Sequence, residues 1–235
     1  MLLYGLDGCK RNCWVVAMSD DDFRTVRFGI EANLSRIFNE AQSGHAVVVL
    51  DVPIGLSNGV RDCDALARRF LKPHRHNSVF RPPCRDAVAS GLDYRRALEI
   101  NRQRSGVGIS KQAYCIGDRI RSVDELMTPA LQKSVREGHP EVTLAVLDGD
   151  QPQEHHKKRA QGIADRLDVL RRAAVPPFDP QHERLRLGRS ELEVDDIVDA
   201  AAMLATARRV AIGLARSLPD SSEPDERGLQ MAICA

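Results

Sequence analysis

Two stretches decide the fold class: Leu2-Leu-Tyr-Gly-Leu-Asp-Gly-Cys9 and Ala46-Val-Val-Val-Leu-Asp-Val-Pro-Ile-Gly-Leu56. Each is an apolar run that reaches an aspartate, Asp7 in the first and Asp51 in the second. The run over 46–51 has no alternation, as expected of a strand buried on both faces. Pro53 ends it, because proline cannot donate to a ladder. Working outward from Asp7, residues 14–18 and 24–30 also read as strands, with Asp20-Asp21-Asp22 as the polar turn between them. Three strands on short turns predict an antiparallel meander. Over residues 32–42, Leu34, Ile37, Phe38 and Ala41 recur at helical spacing, and Gly44 suits the position after the helix end. A strand–helix–strand crossover then places the 46–51 strand parallel to an earlier one. The predicted class is α/β: a mixed sheet of three antiparallel strands followed by parallel strands, with helices on both faces.

The middle of the chain changes character. Residues 62–71 read as a short helix, followed by a loop rich in Pro, Arg and His up to Arg85. Helices are predicted over 93–103, 111–121 and 123–134. Residues 140–147 suit a helix opened by Pro140 or a strand. Residues 157–174 read as a helix interrupted by Gly162, and residues 194–216 as a long Ala-rich helix. The polar stretch 219–227 reads as loop and 228–234 as a closing strand. With no repeat and no linker, the economical organisation is one domain over residues 1–235, with a helical insertion over about 60–135.

Composition narrows the function classes. Hydrophobic residues make up 43% of the chain, enough for a sizeable core. Aromatics make up 4%, which argues against base-stacking platforms. A formal charge of +1 provides no global field for nucleic acid, so local charge must do the steering. No apolar run approaches the roughly 20 residues of a membrane span. The apolar start is broken by Asp7, Lys10 and Arg11, unlike a signal peptide. The six cysteines form no framework. Cys9 and Cys13 are spaced CxxxC, without a second close pair to complete a zinc site. The expectation is a reduced, cytoplasmic protein with no membrane partner; a homodimer is an open option.

Each candidate site residue has a plain alternative. Asp7 reads as a metal ligand in a sheet, or as a turn residue beside Gly8. Asp51 ends a strand, where ligands of open α/β sheets gather, or simply terminates it. Asp195 and Asp196 suit a first helical turn, where acids cap free N–H groups and complement the dipole. Asp199 lies one turn further in and shares a face with either of them. It precedes Ala-Ala-Ala-Met-Leu-Ala, small residues that would let the helix lie close to a sheet, so an Asp there needs a partner. In Glu137-Gly-His139-Pro-Glu141, His139 suits a proton shuttle and Glu141 a ligand or orienting base, or else the segment is a helix start. Carboxylates gathered in one pocket repel one another and are costly to bury unpaired. Mg²⁺ or Mn²⁺ is the usual remedy, because hard cations prefer carboxylate oxygen. The basic stretch from Arg61 through Arg68, Arg69, Lys72, Arg75 and Arg81 to Arg85 suits phosphate contacts or solvated surface. His155-His156-Lys157-Lys158 reads as a surface helix start, since adjacent histidines on a helix point apart.

Taken together these segments resemble the family called domain of unknown function four-twenty-nine, described as predicted nucleases of the RNase H-like fold. The resemblance is carried by Gly5-Leu-Asp-Gly-Cys9 with Trp14, Asp51-Val-Pro-Ile-Gly-Leu56, Arg61-Asp-Cys-Asp64 and Ser78-Val-Phe-Arg-Pro82. Tyr94 to Asn101, Gly108-Ile-Ser-Lys-Gln-Ala113, Glu137-Gly-His-Pro-Glu141, Lys158 with Gly162 and Arg166, Asp195-Asp-Ile-Val-Asp199 with Thr206-Ala207, and Gly228-Leu-Gln-Met-Ala-Ile233 continue it in one order. Cys13-Trp14 replaces the more usual Gly-Trp. The resemblance implies an RNase H-like fold in which Asp7, Asp51, Asp196 and Asp199 hold two Mg²⁺ or Mn²⁺ ions. It implies a nuclease acting on DNA or RNA, with His139 or Glu141 tuning a ligand or relaying a proton. Lys111, Lys158, Arg61 and Arg81 would contact neighbouring phosphates. Two rival readings stand beside it. Actin-like ATPases and sugar kinases share the three-strand opening and the Gly-x-Asp-Gly turn, but need two such domains. A non-catalytic nucleic-acid-binding module is the other.

Overall fold

The structure is a computed structural model that describes residues 1–89 and 91–235. The meander forms as expected from β1 (Leu2–Gly8), β2 (Trp14–Asp20) and β3 (Arg27–Glu31), with Gly5 opposite Ala17 and Val16 opposite Gly29. Helix α1 (Ser35–Gln42) crosses to β4 (Ala46–Leu50), which runs parallel to β1 with Leu6 beside Leu50. The segment that follows carries α2 (Asp62–Phe70), α3 (Tyr94–Ser105), α4 (Lys111–Cys115) and α5 (Gly117–Leu126). The chain returns as β5 (Val135–Glu137), parallel to β4, with Glu137 beside Leu50. Helices α6 (Pro140–Leu147), α7 (Ala160–Arg172), α8 (Pro180–Leu187) and α9 (Val194–Ala211) come next, and β6 (Ser217–Leu218) pairs with β7 (Ile233–Cys234). The main sheet is mixed, in the order β3-β2-β1-β4-β5.

Alternation along the strands divides the core. Leu3, Val15, Ala17, Val47 and Val49 pack against α9, while Tyr4, Leu6, Val16, Val48 and Leu50 pack against Ile37 and Phe38 of α1 and Ile120 and Val123 of α5. Gly5 is where α9 touches the sheet. A Cβ there would sit 2.0 Å from the Leu204 nitrogen and 2.3 Å from the Ala200 oxygen. The small residues Ala200, Ala201 and Ala202, all buried, permit that approach.

Several boundaries differ from expectation. The helices expected over 111–121 and 123–134 are α4 and α5, broken at Ile116 and finished by Leu126; Leu131–Lys133 is a single 3₁₀ turn leading into β5. Strand β5 is three residues long, too short for a periodic signal. Helix α8 went unpredicted although its start is written in the sequence: Asp179 Oδ1 accepts from the Gln181 and His182 N–H groups, and Pro180 sits in the first turn. Helix α7 begins at Ala160 rather than at residue 157, because the preceding chain folds back on it; a Cβ on Gly162 would lie 2.1 Å from the His156 oxygen. Helix α9 stops at Ala211, short of residue 216, and the closing strand contracts to Ile233–Cys234. Cys9 and Cys13 form a disulfide across the turn from β1 to β2, which corrects the expectation that all six cysteines are thiols. Among the described residues no helix is long and apolar enough to cross a membrane.

Candidate metal centre

The alternation that puts Leu3, Gly5, Val47 and Val49 against α9 carries forward to Asp7 and Asp51 on the same face. The Asp51 N–H donates to the Leu6 carbonyl at 3.0 Å, so the two aspartates end neighbouring parallel strands. The first turns of α9 bring Asp195, Asp196 and Asp199 to the same place. Asp196 also closes a capping box: its Oδ2 accepts from the Glu193 N–H at 2.8 Å, and the Glu193 side chain accepts in return from the third helical N–H. Asp199 is buried, and its Oδ2 accepts from the Lys157 ammonium at 2.5 Å; Asp195 Oδ2 lies 3.4 Å from the same ammonium.

The electrostatics follow from crowding. Burial pushes the Asp7 carboxyl well above its usual range, and Asp199 and Asp51 push it further, against the pull of Lys157. Burial also raises Asp51, and Asp199 adds to it, while His139, Lys157 and Arg119 oppose. Asp196 is pushed up to about 6, chiefly by burial, with Asp195 and Asp199 adding repulsion and the Glu193 N–H opposing. Lys157 moves the other way: Asp199 raises it above the ordinary lysine range. Arg119 lies across the cluster. Its Nη2 donates to the Cys9 carbonyl at 2.6 Å, its guanidinium sits 5.5 Å from the Trp14 ring centre, and its buried Nε has no partner. Burial lowers the Arg119 pKa, offset by Asp7, Asp196 and Asp51.

A cavity of about 150 Å³ opens beside these acids at the carboxyl ends of the strands. Asp7, Gly8, Asp51 and Pro53 line it together with Val79, Phe80, Gln112, Ile116, Arg119, Asp64, Glu137 and His139, while Asp195, Asp196 and Asp199 are not among its lining residues. His139 acts electrostatically on both Asp51 and Asp64, and its buried Nδ1 has no partner.

The donor set fits a hard divalent cation. Five carboxylates face two permanent cations, Lys157 and Arg119, and among the described residues neither Asp7 nor Asp51 accepts a side-chain hydrogen bond. In this arrangement their oxygens are not drawn together as tightly as around one ion. Among the described residues the one trio of His, Cys, Asp or Glu with ligand atoms within 4.8 Å of one another is Cys63, Asp64 and Glu137. That trio is already occupied by a cation of the chain itself. Arg61 Nη2 donates to Glu137 Oε2 at 2.6 Å and to Cys63 Sγ at 2.9 Å, and Arg61 Nε lies 3.6 Å from Asp64 Oδ2. Burial raises Glu137 to about 7 against the pull of Arg61.

The structure thus gathers Asp7, Asp51, Asp196, Asp199 and His139 and corrects other expectations. Arg61 is not a phosphate contact; its side chain is 1% exposed and committed to Glu137. Glu141 is absent from the cavity wall and pairs with Arg166 at 2.6 Å instead. Lys158 is replaced by its neighbour Lys157, the lysine that reaches the acids. Arg81 and Lys111 are exposed, next in sequence to the cavity residues Phe80 and Gln112. The expected free basic loop is largely tied down: Arg68 donates to the Val79 carbonyl, and Arg75 to the Gln153 and Glu154 carbonyls. Sequence reasoning missed Lys157, Arg119 and Asp64. Gly162, crowded by His156, was the one available hint that the chain before α7 turns inward.

Residues 5–224 match the family described as protein of unknown function (DUF429). The chain belongs to the DUF429 family. No curated protein and no solved structure matches it. The DUF429 match takes in all five acids of the cluster, Lys157, Arg119 and His139; Ile233 of the cavity wall lies beyond it.

Proposed function

We propose that this DUF429 protein is a metal-dependent phosphodiesterase acting on nucleic acid, with a site of the RNase H-like kind. The observation that carries the proposal is that Asp7 and Asp51 end neighbouring strands at one cavity, with Asp196 and Asp199 of α9 close enough to act on Asp7, and with too few cations to neutralise the four. The sheet order, a meander on one side and parallel strands on the other, supports the RNase H-like reading. Asp7, Asp51 and Asp199 would hold Mg²⁺ or Mn²⁺, with Asp196 contributing as far as its capping role allows. Bound there, such ions supply Lewis acidity and a water of lowered pKa. The chain's own groups do the rest. Arg119, which lines the cavity, would donate to a non-bridging phosphate oxygen. His139, on the adjoining wall, is placed to pass a proton to or from the reacting oxygens. Lys157 donates to Asp199 and lies 3.4 Å from Asp195, which offsets part of the repulsion among the acids.

The test is Mn²⁺-dependent hydrolysis of single-stranded oligonucleotides by the parent, Asp7→Asn and Asp51→Asn proteins. Both variants are expected to fold and to lose cleavage. Parental cleavage by either variant overturns the assignment.

A further inference from the structure

The acid cluster already holds one cation, and that cation belongs to the chain. Lys157 Nζ lies 2.5 Å from Asp199 Oδ2 and 3.4 Å from Asp195 Oδ2, and its charge also reaches Asp7, Asp51 and Asp196. Among the described residues no other cation pairs with Asp195 or Asp199. A divalent ion on the Asp199 carboxylate would be a near neighbour of that ammonium. Like charges so close, in a site poorly reached by water, repel strongly.

The lysine is built to leave. Its side chain is 34% exposed, so its end has a way out to solvent. Asp199 and Asp195 are its only side-chain partners among the described residues. The backbone that carries it is held independently. Buried Arg166 donates to the His155 carbonyl at 3.0 Å, Arg75 Nε donates to the Gln153 carbonyl at 2.8 Å, and the Arg159 N–H donates to the His156 carbonyl at 2.9 Å. Release therefore needs only side-chain rotation, and a freed lysine stem regains rotamer entropy. Arg119, the other cation near the acids, is different. Its Nη2 donates to the Cys9 carbonyl at 2.6 Å, and its Nη1 packs so closely on Gly8 that a Cβ there would lie 2.3 Å from it.

Resting on the metal-centre reading, we infer that Lys157 is the resident counter-ion of the metal-free site and gives way to the metal. When a divalent cation takes Asp199, the ammonium swings out to water while the loop backbone stays in place. Lysine and metal then exclude one another, and the acids are compensated in both states. The engaged lysine weakens metal binding, and by reciprocity the metal weakens the lysine's hold by the same factor. An ammonium engaged about nine-tenths of the time lowers the apparent metal affinity about tenfold. In the alternative arrangement Lys157 keeps its bond to Asp199 Oδ2 and steadies the carboxylate from outside the metal.

Two measurements separate these arrangements. In the first, Mn²⁺ is titrated into the parent and Lys157→Met proteins, with free Mn²⁺ read by electron paramagnetic resonance. The variant is expected to bind about tenfold more tightly. The second uses the parent alone, so it stands even if the variant folds poorly. Acetic anhydride labelling, mapped by mass spectrometry with and without Mn²⁺, reads the freedom of the Lys157 amine, with exposed Lys158 as the internal reference. Only an unprotonated amine reacts, and Asp199 raises the Lys157 pKa, so the engaged lysine is the slow one. Mn²⁺ is expected to speed Lys157 labelling relative to Lys158 by about the same tenfold. Equal or weaker Mn²⁺ binding by a folded Lys157→Met protein, or Lys157 labelling that Mn²⁺ leaves unchanged or slows, overturns the displacement and leaves the metal centre standing. Absence of Mn²⁺ binding by the parent and the folded variant alike overturns both.

Discussion

Lys157 Nζ lies 2.5 Å from Asp199 Oδ2, and the two residues are 42 positions apart in sequence. Lys157 comes from the loop before α7 and Asp199 from the second turn of α9, so their pairing ties a loop to the acid cluster. Asp199 is buried, and Lys157 is the one cation that touches it among the described residues. Lys157→Ala therefore strands a buried carboxylate. Losing the partner of a fully buried pair costs about 3–5 kcal/mol. The lysine side chain is 34% exposed, so solvent screening reduces the expected loss to about 1–3 kcal/mol. Urea unfolding with and without Mn²⁺ checks this: the deficit should shrink when the metal is present.

The pH dependence has a definite sign. Asp7, Asp51 and Asp196 all have raised pKa values in the folded state, Asp196 at about 6, and Glu137 is raised to about 7. A raised acid binds its proton more tightly when folded. Its stabilising contribution is complete below the unfolded value, near about 4, and is lost as pH rises through the folded value. The metal-free protein should therefore melt at a lower temperature at pH 7.5 than at about pH 5, and Mn²⁺ should raise Tm more at pH 7.5, where these carboxylates are ionised. Thermal scans at the two pH values, each with Mn²⁺ or EDTA, provide the comparison; a metal effect larger at the lower pH would contradict the carboxylate site.

Asp7→Asn exchanges a repelling carboxylate for a neutral amide of the same shape. The metal-free variant is expected to be more stable than the parent at pH 7.5 by about 1–2 kcal/mol, while losing Mn²⁺ stabilisation and turnover. Opposite movement of stability and activity separates a charge-gathering site from a purely structural aspartate, whose loss lowers both.

Arg61 offers a contrasting case. Its guanidinium fills the Cys63, Asp64 and Glu137 trio, so that cluster needs no metal. Arg61→Ala leaves Glu137 and Asp64 buried together without a cation, at an expected cost of about 3–5 kcal/mol. Divalent ions should not restore the loss, which differential scanning with Mn²⁺ and with Zn²⁺ would measure.

Gly5 is predicted to tolerate no side chain. The Cβ of Gly5→Ala would meet main-chain atoms of α9 at 2.0 and 2.3 Å, atoms that cannot rotate away. The expected cost is about 3 kcal/mol, with weaker Mn²⁺ binding because α9 carries Asp199. Circular dichroism melts and Mn²⁺ titration of the variant read both effects.

What could be read from the chain beforehand follows the range of the interactions involved. β1, β2 and β4, the crossover helix α1 and the Ala-rich α9 announce themselves by local periodicity. Asp7, Asp51 and Asp199 stand out because a charge interrupts an apolar or small-residue run. Contacts between distant segments left no such mark. Arg61 meets Glu137 across 76 positions, and Arg119 meets Cys9 across 110. In sequence Arg61 is one of many arginines, and nothing local separates the one that is buried from those in solvent. Lys157 was hidden for a different reason: its loop resembles the start of the following helix, and a one-residue choice between Lys157 and Lys158 depends on how that loop turns.

The contact of α9 with β1 is main chain against main chain, at Gly5. The separation of the helix that bears Asp199 from the strand that bears Asp7 is consequently fixed by a backbone contact. Val79 and Phe80 of the cavity lining belong to another part of the polypeptide, a segment tied down by Arg68 and Arg85. Substitutions at Val79 or Phe80 are therefore expected to reshape the cavity while the spacing between α9 and β1 is kept.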